Sequence, residues 1–302
     1  MRRPSNILVL TLLGLVAACD STDPGGLPPE YVVEAILVSD EPLPPIRLSR
    51  TTGVTESYDF SRLAVRDATV ALHPTKADGS MEEYREDPEQ PGIYLPASPA
   101  ARAQPLETYR LEVLIPETGA SITGTTVVPD TFGVVNATLQ RAVYQTNEQL
   151  EVTVTRSSVP GRSQNYYIFV TESLDPREDQ LTPIGASILD AMPAGVDTIE
   201  DLRVRGSPLL NENNYAVNSD GTLTIRYPWI GTVFFGPNRI SINALDDNLY
   251  DFFRSQSVQQ GGSTFAPGEI PNPLEPVRGA HGVFGSYARV TVELEVLRPG
   301  GL

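Results

Sequence analysis

Cysteine occurs once in the 302 residues, at Cys19, and histidine twice, at His73 and His281. A single thiol excludes an internal disulfide framework and any site built from several cysteines. Two imidazoles leave little for metal binding or acid–base work. Basic side chains are also few: 22 Lys and Arg stand against 38 Asp and Glu, a formal charge of −16. That balance argues against a nucleic-acid partner, because phosphate binding needs clustered cations and this chain repels a polyanion. The sequence contains no Gly-x-x-x-x-Gly-Lys phosphate loop, no His-Glu-x-x-His helix and no Gly-x-Ser-x-Gly elbow. Metal-activated and serine-nucleophile mechanisms therefore have no visible carrier, and neither a catalytic residue, a metal nor a cofactor is expected. Hydrophobic residues make up 40% and charged ones only 20%, so the chain can bury a core and is globular rather than disordered.

No apolar run is long enough for a permanent membrane span. The longest opens the chain, where Arg2 and Arg3 precede Ile7 to Ala18. As a helix those twelve residues would measure about 18 Å, against a hydrocarbon core of roughly 30 Å. A charged start, a short apolar stretch and small residues before a cleavage point have the layout of a secretory signal. The order Val16, Ala17, Ala18, Cys19 resembles the lipobox of bacterial lipoproteins, in which the cysteine is lipidated and becomes the mature first residue. A plain signal peptide with an incidental cysteine is the competing reading. Against it, the only cysteine of the chain falls where a lipobox needs one. Residues 1–18 are accordingly expected to be a lipoprotein signal peptide, and 19–29, rich in Pro, Gly and Asp, a flexible tether. Removing the signal takes away Arg2 and Arg3 and leaves a charge of −18.

From Tyr31 onward the hydrophobic period is two. Tyr109, Leu111, Val113 and Ile115 alternate with Arg110, Glu112 and Leu114, and Val290, Val292, Leu294 and Val296 alternate with Thr291, Glu293 and Glu295. Such alternation marks antiparallel strands with one buried and one wet face. Further strands are expected at Val32–Val38, Ile46–Arg50, Ala64–His73, Ile93–Leu95, Ile122–Val128, Leu150–Val154, Tyr166–Thr171, Thr222–Tyr227, Gly231–Phe235 and Arg239–Ala244. One helix stands out after Asp246 and Asp247, with Leu245, Leu249, Phe252 and Phe253 at helical spacing, and a weaker one runs from Ile184 to Met192. A boundary near Pro129 to Gly133 divides the chain into an N-terminal β-sandwich domain, residues 30–130, and a C-terminal β-rich domain, residues 131–302, with one or two short helices.

Among residues that could carry chemistry, Glu82, Glu83, Glu86 and Asp87 lie in a stretch read as turn-rich and solvated. Asp246, Asp247 and Asp251 are explained by a helix start and an exposed helical position. Paired carboxylates can hydrolyse glycosides when a cleft holds them apart, but the first group has little apolar cover and the second is accounted for by the helix. Asn213, Asn214, Asn218 and Asp220 lack the ligand spacing of a calcium loop. His73, at a strand end, and His281, in a Gly-rich turn, read as surface or hydrogen-bonded side chains. Trp229, in Tyr227-Pro-Trp229, is the one weak ligand-binding candidate: at a sheet rim it would suit a partner or sugar face, and otherwise it fills the core.

Several segments occur in an order that resembles the lipoproteins with domain of unknown function 4249. They are Tyr31-Val-Val-Glu-Ala-Ile-Leu-Val, Ile46-Arg-Leu-Ser-Arg-Thr, Val65-Arg-Asp-Ala-Thr-Val-Ala-Leu, Pro91-Gly-Ile-Tyr, Asn165-Tyr-Tyr, Leu249-Tyr-Asp-Phe-Phe-Arg-Ser and Gly279-Ala-His-Gly-Val-Phe-Gly285. Gly279-Ala-His-Gly departs from the Asn-containing stretch of that pattern. The resemblance implies an N-terminal immunoglobulin-like or transthyretin-like sandwich and an outer-membrane lipoprotein associated with TonB-dependent receptors. It supplies no catalytic residues. The function expected is thus an accessory or binding lipoprotein held to the membrane through lipid on Cys19, with a surface glycan-binding or adhesion module as the alternative. Acyl chains hold by roughly 0.8 kcal/mol per buried methylene, and two or more anchor stably. Cys19→Ser is therefore expected to abolish incorporation of labelled palmitate and to move the protein out of the membrane fraction; unchanged retention would refute the lipobox.

Overall fold

The computed structural model describes residues 29–53, 56–75, 80–191, 199–257 and 276–300. Cys19, the lipobox residues Val16, Ala17 and Ala18, and all of the expected signal and tether except Pro29 lie outside the described residues. Among the described residues, the alternation read from the sequence becomes seventeen strands. In the first half these are β1 (Tyr31–Val38), β2 (Ile46–Arg50), β3 (Thr69–Pro74), β4 (Glu82–Glu86), β5 (Ile93–Pro96), β6 (Thr108–Ile115) and β7 (Ala120–Val127). They are followed by β8 (Val134–Ala137), β9 (Arg141–Val143), β10 (Glu151–Val154), β11 (Tyr166–Ser173), β12 (Val204–Gly206), β13 (Leu210–Asn211) and β14 (Leu223–Arg226). The last three are β15 (Gly236–Leu245), β16 (Val277–Arg278) and β17 (His281–Leu297). The fold is mainly β. Four short α-helices accompany the strands among the described residues, against the one or two expected: α1 (Phe60–Leu63), α2 (Pro183–Ala191), α3 (Ile199–Leu202) and α4 (Asp247–Ser257).

Fourteen strands form one mixed sheet whose main path is β12-β11-β15-β17-β1-β2-β5-β4-β3-β6-β7-β16; the other three form a small sheet, β14-β10-β8. The path returns on itself in the first half, because β7 lies against β17: Ser286 Oγ on β17 donates to Val127 O at 3.0 Å. Within that curl lies one hydrophobic core, from Val33, Leu37, Leu48, Leu72, Tyr94, Leu111, Val113 and Ile122, closed by Val277 and Phe284 from the far end of the chain. A second core lies where β11, β15 and β17 face the small sheet, with Tyr167, Phe169, Ile240, Ile242, Val290 and Leu294 meeting Val152, Val154, Leu223 and Ile225. Apolar faces of this kind are stable only when paired in layers.

β17 serves both cores. Its first residues, His281 to Tyr287, pair parallel with β1, and Tyr287 to Val296 pair antiparallel with β15. The strand is therefore much longer than the Val290–Val296 run that signals it, and Gly282 to Gly285 lie within it rather than in a turn before it. Gly282 has φ +108°, and a side chain there would strike the Val33 carbonyl oxygen of β1. Only glycine adopts that backbone without strain.

Three local expectations are corrected. Residues 82–87 are not a solvated turn: β4 pairs with β3 and β5, and Tyr84 buries its ring in the first core. One buried ring among four charged neighbours leaves too little periodicity to signal a strand. Gly231–Phe235 is not a strand. After Pro228 the chain makes a 3-10 turn, Trp229–Gly231, and the extended residues beyond it bond to the loop at 180–182 instead of to a strand. The expected strand at Ala64–His73 begins only at Thr69, since Asp67 takes a positive φ of 56° and breaks the run.

Phe284 is fully buried at the seam, so Phe284→Ala should cost about 3–5 kcal/mol of stability, in line with large-to-small core substitutions. Gly282→Ala should cost at least about 3 kcal/mol through strain and displacement of β1. Urea unfolding of the two variants checks both values.

Candidate functional site

The segments that carry the family resemblance in the second half converge on one place, where α4 crosses the start of β17. The helix begins as its sequence dictates. Asp246 precedes the first turn and its Oδ1 accepts the Leu249 N–H at 2.8 Å, an N-cap bond. Arg254 stands in the last turn, where the helix dipole favours a cation. Leu249 is buried against Ile168, Leu245 and Val283, with Phe252 and Phe253 half-buried beside it. The helix can come this close because Gly285 has no side chain: a Cβ there would lie 2.6 Å from Leu249 Cγ. Asn248 fastens the crossing, its Nδ2 donating to Thr125 O on β7 at 2.6 Å and to Phe284 O on β17 at 2.7 Å.

Asp246 is withdrawn from water, with 1% of its surface exposed. When ionised, its Oδ2 accepts from Thr126 Oγ1, and Thr126 Oγ1 lies 2.8 Å from Ser286 Oγ. Burial pushes its carboxyl up from 3.8 to about 6, although the hydrogen bonds from Thr126, Leu249 and Ser286 and the charge of Arg162 all pull the other way. Arg162 does not reach it directly: the guanidinium is ion-paired with Asp247, donates through Nη1 to Leu245 O at 2.8 Å and lies 5.1 Å over the Tyr166 ring. Tyr166 in turn stacks on Tyr250 of α4 at 3.8 Å. The carboxylates at 246 and 247 thus have different surroundings, one sealed and one exposed. No sequence signal separates them, nor does any predict Thr126 and Ser286, whose partnership spans 160 positions.

The remaining candidates are not brought together. Glu86 accepts the backbone N–H groups of Asp67 and Gly92, both at 3.0 Å, and Asp87 accepts that of Glu89 at 2.9 Å, so these carboxylates close turns. His73 Nε2 is 2.9 Å from Glu112 and His281 Nε2 is 2.5 Å from Glu30, on different strands. Asp220 Oδ1 accepts from Thr222 N and Oγ1, while Asn218 Nδ2 donates to Thr222 and Thr224. Among the described residues no cluster of three or more His, Cys, Asp or Glu side chains is arranged to hold a metal. Trp229 is half-buried: its ring meets Tyr144 edge-on at 5.6 Å and its Nε1 donates to Thr146 O at 3.2 Å. Both its apolar face and its donor are engaged by the second core's rim, which leaves Ile230 beside it as the exposed side chain, at 72%.

Fold and junction together define a two-core β-protein whose halves share one strand beneath a capping helix. Residues 21–293 match the family described as Domain of unknown function (DUF4249), and the chain belongs to that family. No curated protein matches it. Two structures of Escherichia coli alpha-2-macroglobulin align at low similarity. The trypsin-activated form is 8% identical with a TM-score of 0.24, over 88% of this chain and 15% of that one. The native conformation is 11% identical with a TM-score of 0.20, over 93% and 17%. This chain therefore spans less than a fifth of the length of those proteins.

Asn248→Ala removes two hydrogen bonds at the crossing and should cost about 1–3 kcal/mol. Urea unfolding measures the loss, and hydrogen exchange should place the added opening in α4.

Proposed function

We propose that the protein is a lipid-anchored component of the cell envelope, an accessory or binding lipoprotein at the outer membrane that works beside a TonB-dependent receptor. The observation that carries this reading is the single cysteine, placed after a charged start and a twelve-residue apolar run that ends in Val16, Ala17 and Ala18. The family supports it by resemblance, and no helix of the described residues is long and apolar enough to cross a membrane. Acylation of Cys19 then supplies the attachment.

The covalent chain bounds the geometry. Residues 20–30, fully extended, span at most about 40 Å, which limits how far the start of β1 stands from the bilayer. Around that start, Tyr31 Oη meets Thr118 Oγ1 at 2.8 Å, Arg50 pairs with Glu117 at 3.1 Å, and His281 pairs with Glu30. In this reading the β6–β7 turn faces the membrane side, and loops at the other end of the first sandwich, around Glu41 and Arg102, are presented to the partner.

Crosslinking mass spectrometry on intact membranes tests location and partner together. The expected result is crosslinks from the native, lipidated protein to an outer-membrane barrel, at the β1–β2 loop more than at the β6–β7 turn. Reproducible capture without any barrel partner would count against the receptor role, and loss of membrane association in the untreated protein would count against the anchor.

A further inference from the structure

Between α4 and the first sandwich runs a buried line of three oxygen-to-oxygen links: Asp246 Oδ2 to Thr126 Oγ1 at 2.5 Å, Thr126 Oγ1 to Ser286 Oγ at 2.8 Å, and Ser286 Oγ to Val127 O at 3.0 Å. Each link needs one proton, and each hydroxyl owns one. With Asp246 ionised, Thr126 must donate to the carboxylate, and Ser286 is left to fill only one of the two remaining links. Two protons then serve three links, inside a site where Thr126, Ser286 and Asp246 are each 2% exposed or less. With Asp246 protonated the count closes. The acid donates to Thr126, Thr126 to Ser286, and Ser286 to the carbonyl, while Oδ1 still caps the helix.

We propose that under acidic conditions the folded protein carries Asp246 as the neutral acid and that its ionisation as pH rises loosens α4 from β7 and β17, so that this joint is a pH-responsive latch. The line ties three elements distant in sequence, and the atom that changes state is the one that begins the helix. Its charged surroundings are sparse. β7 and β17 offer only hydroxyls and backbone groups here. From the connection before β11 comes Arg162, occupied by Asp247 and by Leu245 O, and α4 itself adds Asp247, a second negative charge whose side chain is 70% exposed. The Thr126 hydroxyl, the backbone N–H groups of Leu249 and Ser286, the charge of Arg162 and the helix dipole favour the ionised form. Burial opposes them and prevails, holding the carboxyl at about 6.

The sign follows from linkage. The folded state binds this proton more tightly than the unfolded chain, whose ordinary value is 3.8. The stabilisation is present at low pH and is lost as pH rises from about 4 through about 6, a change of roughly a hundredfold in the folding constant over the whole window. Because opening α4 hydrates the carboxylate without unfolding the sheets, the cheapest response at higher pH is local.

The test compares the full chain with Asp246→Asn, whose amide donates to Thr126 at every pH. Urea unfolding from pH 4.5 to 7.5 should show the wild type losing stability relative to the variant by roughly twentyfold in the unfolding constant. Amide exchange in residues 247–257, corrected for its intrinsic pH dependence, should quicken over the same range in the wild type alone. A wild-type-to-variant ratio constant within about twofold overturns the proposal, as does exchange in α4 that rises equally in both. If the variant does not fold, carboxyl carbon-13 titration of the wild type decides: an aspartate titrating near pH 6 sustains the latch, and all aspartates titrating below about 5 overturns it.

Discussion

Two hydrophobic cores in one chain can be held together by a linker, by a docking surface or by a shared element, and β17 is the third kind. His281 to Tyr287 extend β1 in parallel and Tyr287 to Val296 extend β15 antiparallel, with Tyr287 paired to both neighbours. A strand in that position has to satisfy three approaches at once: a parallel partner beside it, β7 on one face and α4 on the other. Side-chain volume is the limiting quantity. Gly282 yields to the β1 backbone, Gly285 yields to Leu249, and between them Phe284 and Val283 point to opposite faces and fill the first core and the underside of the helix. Alternation with period two assigns these roles without further instruction.

The polar line at the joint works under an opposite constraint. Apolar volume at the seam could have been filled by aliphatic side chains, yet Thr126, Ser286 and Asp246 are buried there together. Hydrogen bonds of this kind add little net stability when complete and cost much when broken. They also admit one register of α4 over β17 and β7, because a shift of one residue would strand a carboxyl in an apolar interior. Apolar packing from Leu249, Phe252 and Phe253 alone would tolerate sliding. The joint thus trades stability for a defined position, and the carboxyl's tie to solution pH follows from that trade.

Much of the fold was legible because period-two alternation survives in strands with one wet face. Val32–Val38, Ile46–Arg50 and Tyr109–Ile115 were read within one residue of β1, β2 and β6. Helix α4 was legible from its Leu and Phe spacing. Strands without alternation were not: β4 has one buried ring among charges, and the start of β17 is masked by glycines whose signal is a turn until a neighbouring backbone is seen to occupy their missing side chains. Thr232 to Phe235 misled in the other direction, since strand-forming residues extend only where a strand is there to pair with, and here a loop is. At the joint, Asp246 was visible as a helix-start residue. That it is sealed while Asp247 is wet depends on β7, more than a hundred positions away, and no local pattern encodes that.

The segments that resemble the family pattern are consumed by architecture: Tyr31–Val38 pairs with β17, Leu249 packs on Gly285, and Gly282-Val-Phe-Gly285 threads the seam. Family membership therefore fixes a scaffold and leaves the ligand open, as is general for folds that host several functions. Side chains that the scaffold does not use remain at the surface. Trp229 is spent on the second core's rim, whereas Ile230 beside it, Val134 and Val135 on edge strand β8, and Val204 on β12 expose apolar surface with no packing role. Isolated exposed apolar side chains need no explanation. Val134 and Val135 on β8 and Val204 on β12 lie on terminal strands of their sheets, the position at which a further strand can pair. Edge pairing is made by backbone groups and depends little on side-chain charge, of which this chain carries a net −16.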